Sequence, residues 1–100
     1  MRRMVKMHFK AGSIDAFIDF FESKKELIAS FPGCHHVELL RDRREPDILY
    51  TYSLWDSEEA LEDYRRSELF RSIWKETKLH FTSPASAWSM DLMAEAGMRS

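Results

Sequence analysis

Ile48-Leu49-Tyr50-Thr51-Tyr52-Ser53-Leu54-Trp55-Asp56-Ser57-Glu58-Glu59-Ala60-Leu61 holds the turn on which the organisation of this chain depends. Residues 48–55 are dense in Ile, Tyr, Thr and Trp, side chains that suit a pleated, half-buried surface, and they predict a strand. Asp56 stands three residues before Glu59, the spacing of a capping box, and Ser57 is a rival cap. Either would start a helix near Glu58 that runs to Arg65. Ser67 can then cap a second helical segment, where Leu69, Phe70, Ile73, Trp74 and Thr77 recur at intervals of three and four. A strand delivers the chain, a capped turn reverses it, and Tyr64, Phe70 and Trp74 return over it.

On the N-terminal side, Met4 to Lys10 alternates, with Val5, Met7 and Phe9 on one face and Lys6, His8 and Lys10 on the other. Ala11-Gly12 turns the chain, and Ser13 is placed to cap a helix whose apolar stripe is Ile14, Phe17, Ile18, Phe21, Leu27 and Ile28. Phe31-Pro32-Gly33 ends that helix, because proline disfavours helical angles in the residue before it. Cys34 to Leu40 reads as a second strand, with Val37 and Leu39 opposite His36 and Glu38, and residues 41–47 as a hairpin connection. Pro84 opens a last strand, in which Trp88, Met90 and Leu92 alternate with Ala87, Ser89 and Asp91. Residues 94–100 read as a frayed tail, or as an arm that reaches a partner.

The order β-α-β-β-α-β predicts an α+β, ferredoxin-like fold, an antiparallel sheet with helices on one side. Tyr50, Tyr52 and Leu54 oppose Leu49 and Trp55, so apolar groups leave both faces of the third strand. The uncovered face then needs a cover, and a second copy of the chain packed sheet to sheet is expected to supply it. A length of 100 residues makes a single domain, with a core over 4–92 and a tail over 93–100.

With 44% hydrophobic and 13% aromatic residues the chain can build a core. A net charge of -2 gives no reason to expect nucleic acid or an anionic membrane as partner. Arg41, Arg43 and Arg44 are broken by Asp42 and followed by Glu45, the pattern of a solvated loop. Cys34 is the lone cysteine, so no disulfide forms within the chain. No apolar run reaches about 18 residues, and Met1-Arg2-Arg3 is not followed by the apolar stretch of a signal peptide. A cytoplasmic location is expected.

Chemistry is harder to read. His8, His35, His36 and His80 show neither HxH nor HExxH spacing, and adjacent strand residues point to opposite faces, so no metal site is expected. The same divergence separates Cys34 from His35 as a nucleophile and base. Gly12, Gly33 and Gly97 form no phosphate-binding loop. Tyr64, Phe70 and Trp74 either close the core beneath the second helix or line a flat apolar cavity, and the two readings are compatible. His8 and His36 share the face away from Val5 and Met7, which puts both imidazoles off any helix-side cavity.

The strand ending Trp55-Asp56-Ser57, the helix start Glu58-Glu59-Ala60-Leu61, and then Tyr64 and Ser67-Glu68-Leu69-Phe70 resemble the antibiotic biosynthesis monooxygenase family. Phe31-Pro32-Gly33-Cys34 is similar to that family's helix-to-strand junction, and the resemblance spans about 4–92. It implies a dimeric α+β barrel. It also implies relatives that include cofactor-independent oxygenases of aromatic polyketides and quinols, haem-degrading enzymes, and proteins with no assigned reaction. Where haem-degrading members carry an Asn, a Trp and a His, this chain aligns Val5, Tyr64 and Trp74, and none of these keeps the pattern. Haem degradation is therefore not expected, because the Trp74 indole nitrogen has no free lone pair to ligate iron. The expectation is a monooxygenase without cofactor, acting on a small aromatic or quinol-like compound held by Met7, Tyr64, Phe70 and Trp74. No catalytic base is assigned. The alternative is a non-catalytic dimeric module of the same fold that binds a small ligand.

Overall fold

A computed structural model of the chain describes residues 1–97. The elements are β1 (Arg2–His8), α1 (Ile14–Ala29), β2 (Cys34–Arg41), β3 (Ile48–Trp55), α2 (Glu58–Arg65), α3 (Glu68–Lys78) and β4 (Ser86–Met90). The strands form one antiparallel sheet in the order β2-β3-β1-β4. This is the ferredoxin-like α+β plan, with the second helix broken in two. Among the described residues no helix is long and apolar enough to cross a membrane.

Register decides what each face of the sheet carries. Val5 pairs with Thr51 and Met7 with Leu49, and across the next ladder Val37 pairs with Ser53 and Leu39 with Thr51. These residues face the helices, where Met7, Leu49 and Trp55 join Ile14, Phe17, Phe21 and Ile28 of α1 and Leu61 and Tyr64 of α2 in one core. The opposite face carries the alternate set: Met4, Tyr50, Tyr52, Leu40, Trp88 and Met90. Trp88 and Met90 remain 47% and 43% exposed.

Several boundaries differ from those read in the sequence. β1 begins at Arg2 rather than Met4, because the Met1 ammonium donates to the Trp55 carbonyl at 2.9 Å and extends the ladder. β4 covers Ser86–Met90, so Pro84 precedes it and Leu92 lies beyond it, exposed. Ser13 stands before α1, but its backbone is already helical (φ -94, ψ -11) and its side chain makes no capping bond. Leu27, counted into the α1 stripe, is 53% exposed, while Ile28 beside it is buried. Of the rival caps of α2, Ser57 prevails: its extended backbone directs Oγ to accept the Ala60 amide at 3.1 Å. Asp56 instead pairs with His35. Residues 91–96 form no helix or strand, and the last part of the expected tail, 98–100, lies outside the described residues.

The α2 entry is held closely. The Asp56 amide donates to the Gly33 carbonyl at 2.8 Å, bringing the α1–β2 junction under the helix start. Gly33 has φ +89, and a Cβ placed there would stand 2.5 Å from the Ala60 Cβ. Glycine is thus required twice, once by the backbone angle and once by the approach of Ala60. Gly33→Ala should destabilise the fold by about 2 kcal/mol or more in chemical denaturation. A loss under about 0.5 kcal/mol would mean that the junction relaxes without α2.

Candidate ligand cavity

A cavity of about 300 Å³ lies between the helices and the inner face of the sheet. That is the small end of the roughly 300–1,000 Å³ range of ligand pockets. The four residues expected from the sequence all line it: Met7, Tyr64, Phe70 and Trp74. Met7, 2% exposed, belongs to the sheet floor beside Val5. Trp74 lines the space rather than filling it, its ring stacked on Phe70 at 5.8 Å and 12° between planes.

The aromatic wall is a connected series. Trp55 and Tyr64 have ring centroids 5.1 Å apart, Tyr64 and Phe70 5.2 Å, Trp74 and Phe81 5.5 Å, and Phe81 and Phe9 5.5 Å. Phe31 meets the Tyr64 ring edge-on at 5.3 Å. Such offset and edge-on pairs hold rings in place beyond the effect of area alone. Ser67, at the break between α2 and α3, sets the angle of this wall. Its Oγ donates to the Tyr64 carbonyl at 2.6 Å and accepts the Phe70 amide at 3.1 Å, so one hydroxyl ties the end of one helix to the start of the next.

Polar groups around the cavity are few. Ser53 Oγ accepts the indole N–H of Trp55 at 2.9 Å, and Thr77 Oγ1 donates to the Ile73 carbonyl at 2.7 Å. Thr51, Arg3, Arg65, the Tyr64 hydroxyl and the Trp74 indole N–H complete them among the described residues. Among the described residues that line the cavity there is no imidazole or carboxylate. Reasoning from the sequence passed over Arg3, because it lay before the alternating run. Its parity with Val5 and Met7 was the available signal.

The histidines are elsewhere. His8 pairs with Ile48 and His36 with Leu54, which puts both on the outer face, as their parity indicated. His36 Nε2 lies 2.6 Å from Glu38 Oε1. A register shift between Cys34 and His36 makes His35 an extra residue at the strand start, where it meets Asp56. His80 lies 3.6 Å from Glu76 and packs beside the Phe9 ring. Among the described residues no three His, Cys, Asp or Glu side chains converge as a metal site. The Cys34 thiol is 3.7 Å from the His36 carbonyl, and burial raises its pKa above the ordinary thiol value.

Tyr64 is held as a neutral phenol. Desolvation by burial raises its pKa far above the ordinary value, with a smaller contribution in the same direction from Cys34. The sign follows: the unfolded chain ionises this tyrosine at about pH 10, the folded one only well above that, so folding loses stability as pH rises beyond about 10. While folded at about pH 11, wild type and Tyr64→Phe should therefore give the same tyrosinate absorbance near 295 nm. A deficit of one tyrosinate in Tyr64→Phe would show that the ring is open to water.

The comparisons agree with this fold. The family model for antibiotic biosynthesis monooxygenase matches residues 1–76. A solved antibiotic biosynthesis monooxygenase is 18% identical with TM-score 0.84, covering 93% of this chain and 98% of its own. Rv0793 of Mycobacterium tuberculosis is 14% identical with TM-score 0.83, covering 96% and 97%. A conserved protein of Methanosarcina mazei is 21% identical with TM-score 0.81, covering 86% and 85%. At these identities the likeness is one of fold. No curated protein matches the chain at significance.

Proposed function

This chain belongs to the antibiotic biosynthesis monooxygenase family, and we propose that it oxygenates a small aromatic or quinol-like compound without a cofactor. The observation that carries the reading is the aromatic-walled cavity lined by Met7, Tyr64, Phe70 and Trp74. Among the described residues its walls offer no imidazole or carboxylate as a base, so the substrate is one that brings an acidic C–H or O–H of its own. An anthrone gives up its ring CH₂ proton to water before it is buried in the cavity, which leaves a delocalised carbanion. That carbanion adds molecular oxygen and, once protonated, becomes a hydroperoxide. Expulsion of water then leaves the quinone carbonyl, and all the electrons come from the substrate. The protein's part is to hold the ring plane and to exclude bulk water.

Oxygen uptake with a panel of anthrones and hydroquinones tests this. Wild type should consume oxygen above the buffer rate. Trp74→Ala, which removes the wall stacked on Phe70, should be slower by about tenfold or more. Uptake at the buffer rate with every compound would favour the second reading, a non-catalytic module that binds a small aromatic ligand. The lack of an imidazole or carboxylate among the described residues that line the cavity is the observation in that reading's favour.

Either reading includes self-association through the outer sheet face, where Leu40, Trp88 and Met90 are exposed. Light scattering at micromolar concentration should give a dimer mass, and Trp88→Glu should shift it toward the monomer. A monomer mass for wild type would contradict this.

A further inference from the structure

We propose that the cavity takes an aromatic ligand bearing an ionised oxygen, a carboxylate in the simplest case, which Arg3 receives with Ser53 and Arg65 beside it. The inference depends on the ligand-binding role proposed above and adds the chemical class of the ligand.

Arg3 lies on the inner face of β1 with Val5 and Met7 and lines the same cavity. Arg65, from the last turn of α2, lines it too. The two guanidinium groups differ in how they are compensated. Arg65 Nη1 donates to Glu62 Oε2 at 3.0 Å, an ion pair within its own helix. Arg3 Nη1 donates only to a neutral group, Ser89 Oγ, at 2.9 Å. Among the described residues no carboxylate comes within 4.0 Å of Arg3. Glu58 and Glu62 act on it only at longer range, and partial burial together with Arg65 disfavours its charged form.

A partly buried guanidinium at the edge of an apolar space, next to a second cation and with no carboxylate paired to it among the described residues, is placed to gain from an anion that joins it. Its planar fork fits a carboxylate or a similar oxyanion through two parallel hydrogen bonds. The floor adds an independent donor. Ser53 is the cross-strand partner of Arg3, buried, and its oxygen already accepts the Trp55 indole N–H. Among the described residues that hydroxyl donates to no other group, so its hydrogen can be offered into the cavity that Arg3 and Ser53 both line. The aromatic wall would hold the ring, and the Arg3–Ser53 pair would hold the charge.

Calorimetric titration with naphthoate and with its neutral isostere naphthamide tests the assignment. Wild type should bind naphthoate about tenfold or more tightly than naphthamide, and added salt should weaken naphthoate alone. In Arg3→Gln that preference should vanish while naphthamide binding persists, and Arg3→Lys should restore part of it. Equal affinity for the two ligands in wild type, or a preference that survives Arg3→Gln, overturns the proposal. Should Arg3→Gln fail to fold, the wild-type comparison decides alone. Naphthamide binding without preference sinks only this inference. Failure of both ligands and of neutral naphthalene compounds to bind sinks the cavity reading with it.

Discussion

The contact between Gly33 and Ala60 is the constraint on which the rest of the molecule depends. It occurs where the α1–β2 junction passes beneath the first turn of α2, and it leaves no room for a side chain at position 33. The Asp56-to-Gly33 hydrogen bond and the Ser57 cap secure the same point. With the start of α2 fixed there, Leu61 and Tyr64 fall on the inner face one helical turn later, and Tyr64 meets Trp55. The small side chain of Ala60 thus has a steric context: it is the group that Gly33 approaches at the start of the helix.

From Tyr64 onward the geometry is propagated by Ser67. A continuous helix would carry the chain straight on past Arg65. The break turns it, and the shared hydroxyl bonds of Ser67 keep Phe70 and Trp74 against the cavity. The space persists because the surrounding rings brace one another from Trp55 round to Phe9, rather than collapsing onto the sheet floor. The cavity and the core packing are consequently one arrangement in this protein. The same aromatic residues close the core and line the cavity.

Much of this was legible in the sequence, because it is local. The β3-to-α2 turn, the break at Ser67, the parity of Met7 and the outward direction of His8 and His36 follow from two periodicities and a few capping residues. The losses share a cause as well. The true start of β1 depends on the Met1 ammonium reaching Trp55, a contact across 54 positions, and missing it left Arg3 outside the strand and the site. Ser57 prevailed over Asp56 because His35 engages Asp56, and that depends on an extra residue at the start of β2. Whether Trp74 lines or fills the space was not readable at all. It depends on the separation of helix and sheet, which no pattern along the chain encodes.

The central claim is that the space under α2 and α3 is a binding cavity for a flat aromatic compound. Methyl-resolved NMR during titration with an anthraquinone tests it most directly, because methyl groups report from the floor, the helices and the outer sheet face at once. The account predicts shifts concentrated at Met7, Val5, Ile73 and Ala87, with Met4, Leu40 and Met90 unaffected. Shifts confined to Met4, Leu40 and Met90, or none at saturating ligand, would contradict it.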